Sequence, residues 1–183
     1  MLEHQLESIM ITKEGLFDDL NAIKQLDLPQ CYIAAGYIRN YCWDYLSNYE
    51  KHLPLNDVDI IYYDPQNVAF EQEVEAEQRL NKYKPQYNWS VKNQARMHLT
   101  NGTLPYSSTL DAMRHWPETA TAVGMRLDDT GRIEIIAPYG LDDLFHMQLR
   151  KTDLFTNVDY YYMRHQSKGW LERWPKLRLV DIR

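Results

Sequence analysis

One segment constrains this chain more than any other: Asn56-Asp57-Val58-Asp59-Ile60-Ile61-Tyr62-Tyr63-Asp64. Its β-branched and aromatic residues predict a buried strand, and Asp64-Pro65 closes it as a turn. Side chains alternate between the faces of a strand, so Asp57 and Asp59 share a face, with α-carbons roughly 6.5–7 Å apart. Like charges that close repel, and burying them unpaired is costly. Two readings follow. Both acids lie at a solvated strand end, or they grip divalent cation, either one ion or two about 3.5–4 Å apart. Asp64 has the opposite parity and reads as a turn residue.

The flanking sequence predicts an α/β (α+β) fold in which strands and helices mix around one small sheet. Apolar residues at Leu6, Ile9, Met10, Leu16, Leu20, Ile23 and Leu26 mark a helix that Gly15 weakens or breaks. Cys31 to Ala35 reads as a short buried strand ended by Gly36, and Tyr37 to Leu46 as the next helix. Ser47 to Asn56 is a polar loop containing Pro54. Val68 to Tyr83 follows as an acidic amphipathic helix, and Trp89 to Lys92 as a strand. Ser108, with Asp111 three residues on, resembles a helix start that Trp116-Pro117 ends. Ala122 to Leu127 and Arg132 to Ala137 are strands joined by the turn Asp128-Asp129-Thr130-Gly131. Leu141 to Leu149 is read as a short helix. Beyond Tyr160 the chain is aromatic and basic and carries no clear period. Trp170 and Trp174, four apart, make one aromatic ridge if helical.

The 183 residues suffice for one domain with a sizeable core. The expected division is an N-terminal helix (1–28), a catalytic core (29–150) and a C-terminal extension (151–183). The net charge of −6 argues against general adhesion to nucleic acid or to an anionic membrane. No apolar run reaches the length of a membrane span, and the acidic start Met1-Leu2-Glu3 is unlike a signal peptide, so the expected location is the cytoplasm. Cys31 and Cys42 are the two cysteines, read as buried free thiols.

Ala34-Ala35-Gly36-Tyr37-Ile38-Arg39-Asn40 joins strand to helix through small residues. Such a corner lets a phosphate approach the backbone and meet the N–H groups of the helix start. Arg39 and Asn40 can reach the same helix end; tight packing of helix on strand is the alternative. With Asp57-Val58-Asp59 the corner forms a coherent triphosphate and metal site. The pair of motifs resembles the nucleotidyltransferase superfamily that includes DNA polymerase β and the CCA-adding enzymes. The latter carry Val-Gly-Gly-x-Val-Arg-Asp and then Asp-x-Asp. A closer resemblance, from about Tyr32 onward, is to a bacterial nucleotidyltransferase-like family. It is carried by Ala35 to Asn40, Leu55 to Asp59, Trp89 to His98, Trp116 to Gly124 and Ala137 to Leu144.

The resemblance implies transfer of a nucleoside monophosphate from a nucleoside triphosphate to a hydroxyl acceptor, which is a small molecule, a protein or RNA. It implies Mg²⁺ (or Mn²⁺) held by Asp57 and Asp59, with Ala35, Gly36, Arg39 and Asn40 at the phosphates. Two departures stand out. Ala35 replaces the first glycine, which is tolerable if its φ is negative, and Asn40 replaces the aspartate. The superfamily often adds a third carboxylate, a general base, on the strand after Asp-x-Asp. Trp89 to Asn93 has no acid there. Glu134 is the best substitute on a strand, with an edge charge facing water as the alternative. Asn93 and Arg96 are candidates for contacting nucleotide; Arg96 and Lys92 could instead pair with the acidic helix, and His98 reads as a packed polar residue. A catalytically inactive nucleotide-binding module, or an antitoxin-like interaction module, remains the alternative function.

Overall fold

The computed structural model describes residues 1–50 and 57–180. Pro54 of the expected polar loop, and Leu55-Asn56 ahead of the acidic strand, lie outside the described residues.

The first apolar period forms two helices, α1 (Leu2–Met10) and α2 (Leu16–Lys24). Gly15, at φ +74, makes the break; its lack of a β-carbon makes that left-handed conformation accessible. β1 (Tyr32–Ala34) leads directly into α3 (Gly36–Leu46), so Gly36 opens the helix rather than ending the strand. β2 (Val58–Tyr62) follows, then α4 (Phe70–Tyr83) and β3 (Trp89–Asn93). α5 (Gln94–Asn101) continues straight from β3, capped by Asn93, and α6 (Thr109–Met113) is capped by Ser108 as its sequence predicts. β4 (Gly124–Leu127) and β5 (Ile133–Ile136) make the hairpin. The expected Leu141–Leu149 helix shrinks to α7 (Asp142–Phe145) followed by β6 (Gln148–Leu149). The tail folds as α8 (Val158–Lys168), α9 (Trp170–Arg173) and β7 (Arg178–Leu179), the last pairing with β6.

The main sheet has the order β3-β2-β1-β4-β5. β2 and β3 are parallel, linked through α4, and the other pairs are antiparallel. The two faces differ in chemistry. Ile33, Val58, Ile60, Tyr62, Val91 and Met125 point to one side, where they join Leu6, Leu16, Leu20, Ile38 and Leu80 in the main core. The opposite face carries Asp59, Ser90 and Ala34 side by side in one row, as the strand register sets out. There a second, smaller core of Tyr32, Ala34, Ile61, Met113 and Ala122 leaves room for a cleft.

β3 is an edge strand, and edges with free backbone groups invite mispairing. α4 covers this one with carboxylates. Glu77 Oε1 accepts from Val91 N–H at 2.9 Å and Glu73 Oε1 from Asn93 N–H at 2.8 Å. The C-terminal elements pack on the back of α3. Trp170 and Trp174 set their rings edge-on to Trp43, with centroids 6.1 and 5.1 Å away. Arg173 pairs with Asp44 at 2.8 Å, and Trp174 Nε1 donates to the same carboxylate. No helix among the described residues is long and apolar enough to cross a membrane. Cys31 and Cys42 are buried free thiols, each pushed up to about 12 by burial.

Candidate functional site

A cleft of about 610 Å³ opens over the polar face of the sheet. Asp59, Ile61, Ser90 and Lys92 form its floor; Ala35 and Thr121 stand at one end, and Gln94, Met97 and Asn101, one face of α5, wall the other. Trp116, Tyr160 and Arg164 line it from the remaining sides.

Asp59 lines the cleft, whereas Asp57, two residues before it, is not among the lining residues. Asp57 is exposed just ahead of β2 and accepts from Asn88 Nδ2 at 2.6 Å. Asp59 is half-buried, and among the described residues no group donates a hydrogen bond to it. Burial first, and the charge of Asp57 second, push the Asp59 carboxyl above its ordinary range, while Arg39, Arg164 and Lys168 pull the other way. A carboxylate raised by burial and a like charge is better accommodated with a cation beside it. No cluster of three His, Cys, Asp or Glu side chains that could hold a metal occurs among the described residues. Two carboxylates still fit Mg²⁺, which commonly takes one or two protein carboxylates and completes its shell with substrate phosphates and water.

The strand-to-helix corner is built differently from expectation. Ala35 has φ +54 and ψ −121, a conformation glycine adopts freely and alanine does not, so the negative φ that would make alanine tolerable here is not what the chain adopts. Its carbonyl accepts from the N–H groups of Ile38 and Arg39, and its own N–H donates to Val123 O at 3.0 Å, which fix the turn. No side chain caps α3, so its first N–H groups face outward from the corner. Gly36 has no positive φ, and a β-carbon there would meet Asn40 Nδ2 at an ordinary 3.5 Å. Neither backbone conformation nor internal packing requires glycine at that position.

Arg39 lies behind the cleft wall rather than in it. It is 4% exposed and donates to Thr121 Oγ1 at 2.7 Å through Nη1. Its Nε and Nη2 both donate to Asn40 Oδ1, at 3.1 and 2.8 Å. Its guanidinium lies 4.1 Å from the Trp170 ring, and burial lowers its pKa to about 10. Arg39 therefore reaches Asp59 only as a charge behind the wall, and Asn40 holds its guanidinium.

Three other expected site residues are elsewhere. Asn93 points into the opposite face and is fully buried. It caps α5 through Ala95 N–H and ties β3 to the turn that follows β2 through the backbone of Asp64 and Asn67. Arg96 forms a two-pronged pair with Glu73 at 2.8 and 2.6 Å. Glu134 does share the face of Asp59, but it stands on β5, three strands from β2, about 14 Å at ordinary strand spacing. It accepts from Tyr32 Oη at 2.8 Å and from Arg126 at 2.9 and 2.8 Å. Parity was satisfied; strand order, which a sequence does not display, separates the two. The residue beside Asp59 on the adjacent strand is Ser90.

Sequence reasoning missed Arg164, on α8, as a cleft residue, and Glu118, which is fully buried and accepts from Arg164 Nε at 2.9 Å. Glu118 lies inside one of the stretches that carry the family resemblance, where an acid after Trp-Pro was a usable signal. Lys92 does reach the cleft, but its Nζ pairs with Glu73 and Glu77 at 3.5 and 3.4 Å.

No curated protein matches the chain. Among solved structures, an NMR structure described as revealing a CCA-adding enzyme head domain is 32% identical with a TM-score of 0.82, covering 98% of this chain and 96% of that one. A CCA-adding enzyme in complex with CTP is 14% identical, with a TM-score of 0.57, covering 96% of this chain and 43% of its own. The Thermotoga maritima CCA-adding enzyme complexed with tRNA is 15% identical, with a TM-score of 0.55, over 91% and 39%. The chain thus spans about two-fifths of those two enzymes, whose likeness is one of fold. A family model described as nucleotidyltransferase matches residues 21–179. The chain belongs to that nucleotidyltransferase family.

Proposed function

We propose that this protein transfers a nucleoside monophosphate from a nucleoside triphosphate to a hydroxyl acceptor. The observation that carries the proposal is the row in which Asp59, beside Asp57, faces the uncapped start of α3 across Ala34 and Ala35. Asp57 and Asp59 would hold Mg²⁺ or Mn²⁺, and when bound the cation supplies charge neutralisation of the triphosphate and of the leaving pyrophosphate. The outward N–H groups of α3 receive phosphate oxygens, favoured by the positive end of the helix dipole. Gly36, which the fold itself does not require, leaves a polyphosphate room to approach the backbone. Arg39 adds positive potential from behind the wall. The wider cleft has space for a nucleoside and an acceptor, which is a small molecule, a protein or RNA; the structural neighbours captured with CTP and with tRNA are consistent with nucleotide use.

Asp57→Asn should abolish release of pyrophosphate from each of the four ribonucleoside triphosphates with Mg²⁺. Full turnover in that variant would overturn the mechanism. A second reading, nucleotide binding without transfer, is favoured by one observation: Asp59 is the sole carboxylate on the cleft lining among the described residues. Calorimetric binding of nucleotide with no labelled product from any acceptor would support it, and pyrophosphate release well above background would refute it.

A further inference from the structure

We propose that Arg164, on the C-terminal helix α8, is the side chain that contacts the triphosphate, and that Glu118 is the positioning residue that aims it. The inference rests on the nucleotidyltransferase reading above and assigns the cation that reading lacks.

Two cationic side chains line the cleft among the described residues, Lys92 and Arg164. The ammonium of Lys92 is held between Glu73 and Glu77. Arg39 is almost wholly buried, and its Nε, Nη1 and Nη2 are all engaged by Asn40 and Thr121. Arg164 differs from both. Its side chain is 21% exposed, and among the described residues its only polar partner is Glu118, reached through Nε. Nη1 and Nη2 are left for the cleft. A guanidinium anchored at Nε presents two parallel N–H groups in a fixed plane, the geometry that matches phosphate oxygens.

Glu118 is suited to hold that plane. It is fully buried, and its carboxylate meets Arg164 Nε at 2.9 Å and His165 Nε2 at 3.3 Å on one oxygen. Burial pushes its carboxyl up, but the hydrogen bond with His165 and the charges of Arg164 and Arg39 outweigh it, so Glu118 stays ionised. Its backbone carbonyl accepts from the N–H groups of Thr121 and Ala122, which fixes it to the segment entering β4. Trp170 completes the arrangement: Arg39 lies 4.1 Å and Arg164 5.3 Å from its ring. One indole spaces the two guanidiniums, and Asp59 feels both charges.

The test measures binding to the full chain by calorimetry, with MgATP, inorganic tripolyphosphate plus Mg²⁺, and AMP as probes. Arg164→Ala should weaken MgATP and tripolyphosphate roughly tenfold to a hundredfold, the range of a lost charge-assisted hydrogen bond, and leave AMP within about twofold. Glu118→Gln, checked for folding by near-ultraviolet circular dichroism, should weaken the same two probes about tenfold. The double variant Glu118→Gln/Arg164→Ala should bind no more weakly than Arg164→Ala alone, because Glu118 acts through Arg164. Should Glu118→Gln misfold, Arg164→Ala alone still decides the contact. Wild-type affinity in Arg164→Ala, tighter binding in Glu118→Gln, additive losses, or equal loss for AMP would each overturn the inference while the nucleotidyltransferase reading stands. A wild-type chain that binds neither MgATP nor tripolyphosphate would sink that reading and this inference together.

Discussion

Glu73 offers the sharpest test of whether Arg96 and Asn93 serve the fold rather than the site. Its buried carboxylate takes the Asn93 N–H at 2.8 Å, both prongs of Arg96 at 2.8 and 2.6 Å, and Lys92 at 3.5 Å. Glu73→Ala leaves the Asn93 N–H without its partner and Arg96 without its counter-charge, while Lys92 keeps Glu77. Removing one member of a buried pair costs about 3–5 kcal/mol, and stranding a buried N–H about 1–3 kcal/mol. These terms overlap. Arg96 is 27% exposed and Lys92 36%, so both recover part of their hydration. The lower end, about 3 kcal/mol, is the expected loss. For a chain of this length that lowers the melting temperature by roughly 6–12 °C, a large part of an ordinary stability of about 5–15 kcal/mol. Urea denaturation followed by circular dichroism measures it, and Glu73→Gln, which keeps the oxygen that accepts from Asn93, should lose less. A loss under about 1 kcal/mol in Glu73→Ala would refute the assignment of Arg96 and Asn93 to structure.

Asp59→Asn should stabilise the chain at neutral pH while abolishing transfer. The folded Asp59 has a raised pKa, so its ionisation opposes folding, and wild-type stability falls as pH rises from the ordinary carboxylate range through the folded value. The advantage of Asp59→Asn in melting temperature should therefore shrink on acidification below that range; an advantage that grows there would reverse the sign. Ala35→Val should cost about 2 kcal/mol or more in urea denaturation, because a β-branched residue resists φ +54, whereas Ala35→Gly should be close to neutral, relief of strain offsetting the lost methyl and added chain entropy. Equal stability of Ala35→Val and wild type would refute the left-handed corner. Glu134→Gln should keep pyrophosphate release within about twofold of wild type and cost about 1 kcal/mol or less through its half-exposed pair with Arg126; loss of turnover with the fold intact would restore Glu134 to the site.

The acidic strand, the corner before α3 and the hairpin were legible because each is written in local chemistry: alternation, small residues, a turn signature. The ridge of Trp170 and Trp174 was legible in part: both rings meet Trp43, but α9 ends at Arg173 and Trp174 lies just past the helix. Glu134 failed for a different reason. Its parity places it on the correct face, but the intervening strands β1 and β4 are set by long-range pairing that no local pattern reveals. Asn93 and Arg96 were misplaced because α5 starts directly at the end of β3, turning one residue into a cap and the other toward α4. Arg164 was hidden for the opposite reason: α8 has a weak apolar pattern, and its place is fixed by Glu118 and His165 rather than by periodicity.

The wrapping of α8 and α9 over α3 has a consequence for biosynthesis. Residues 158–174 leave the ribosome after every strand of the main sheet, yet they bring Trp170, which shields Arg39, and Arg164, which faces the cleft. Until they emerge, a nascent chain holds the acidic pair and a bare arginine with no indole beside it. Under the proposed function, ribosome-stalled chains ending before Val158 should therefore be inert even with the sheet already formed.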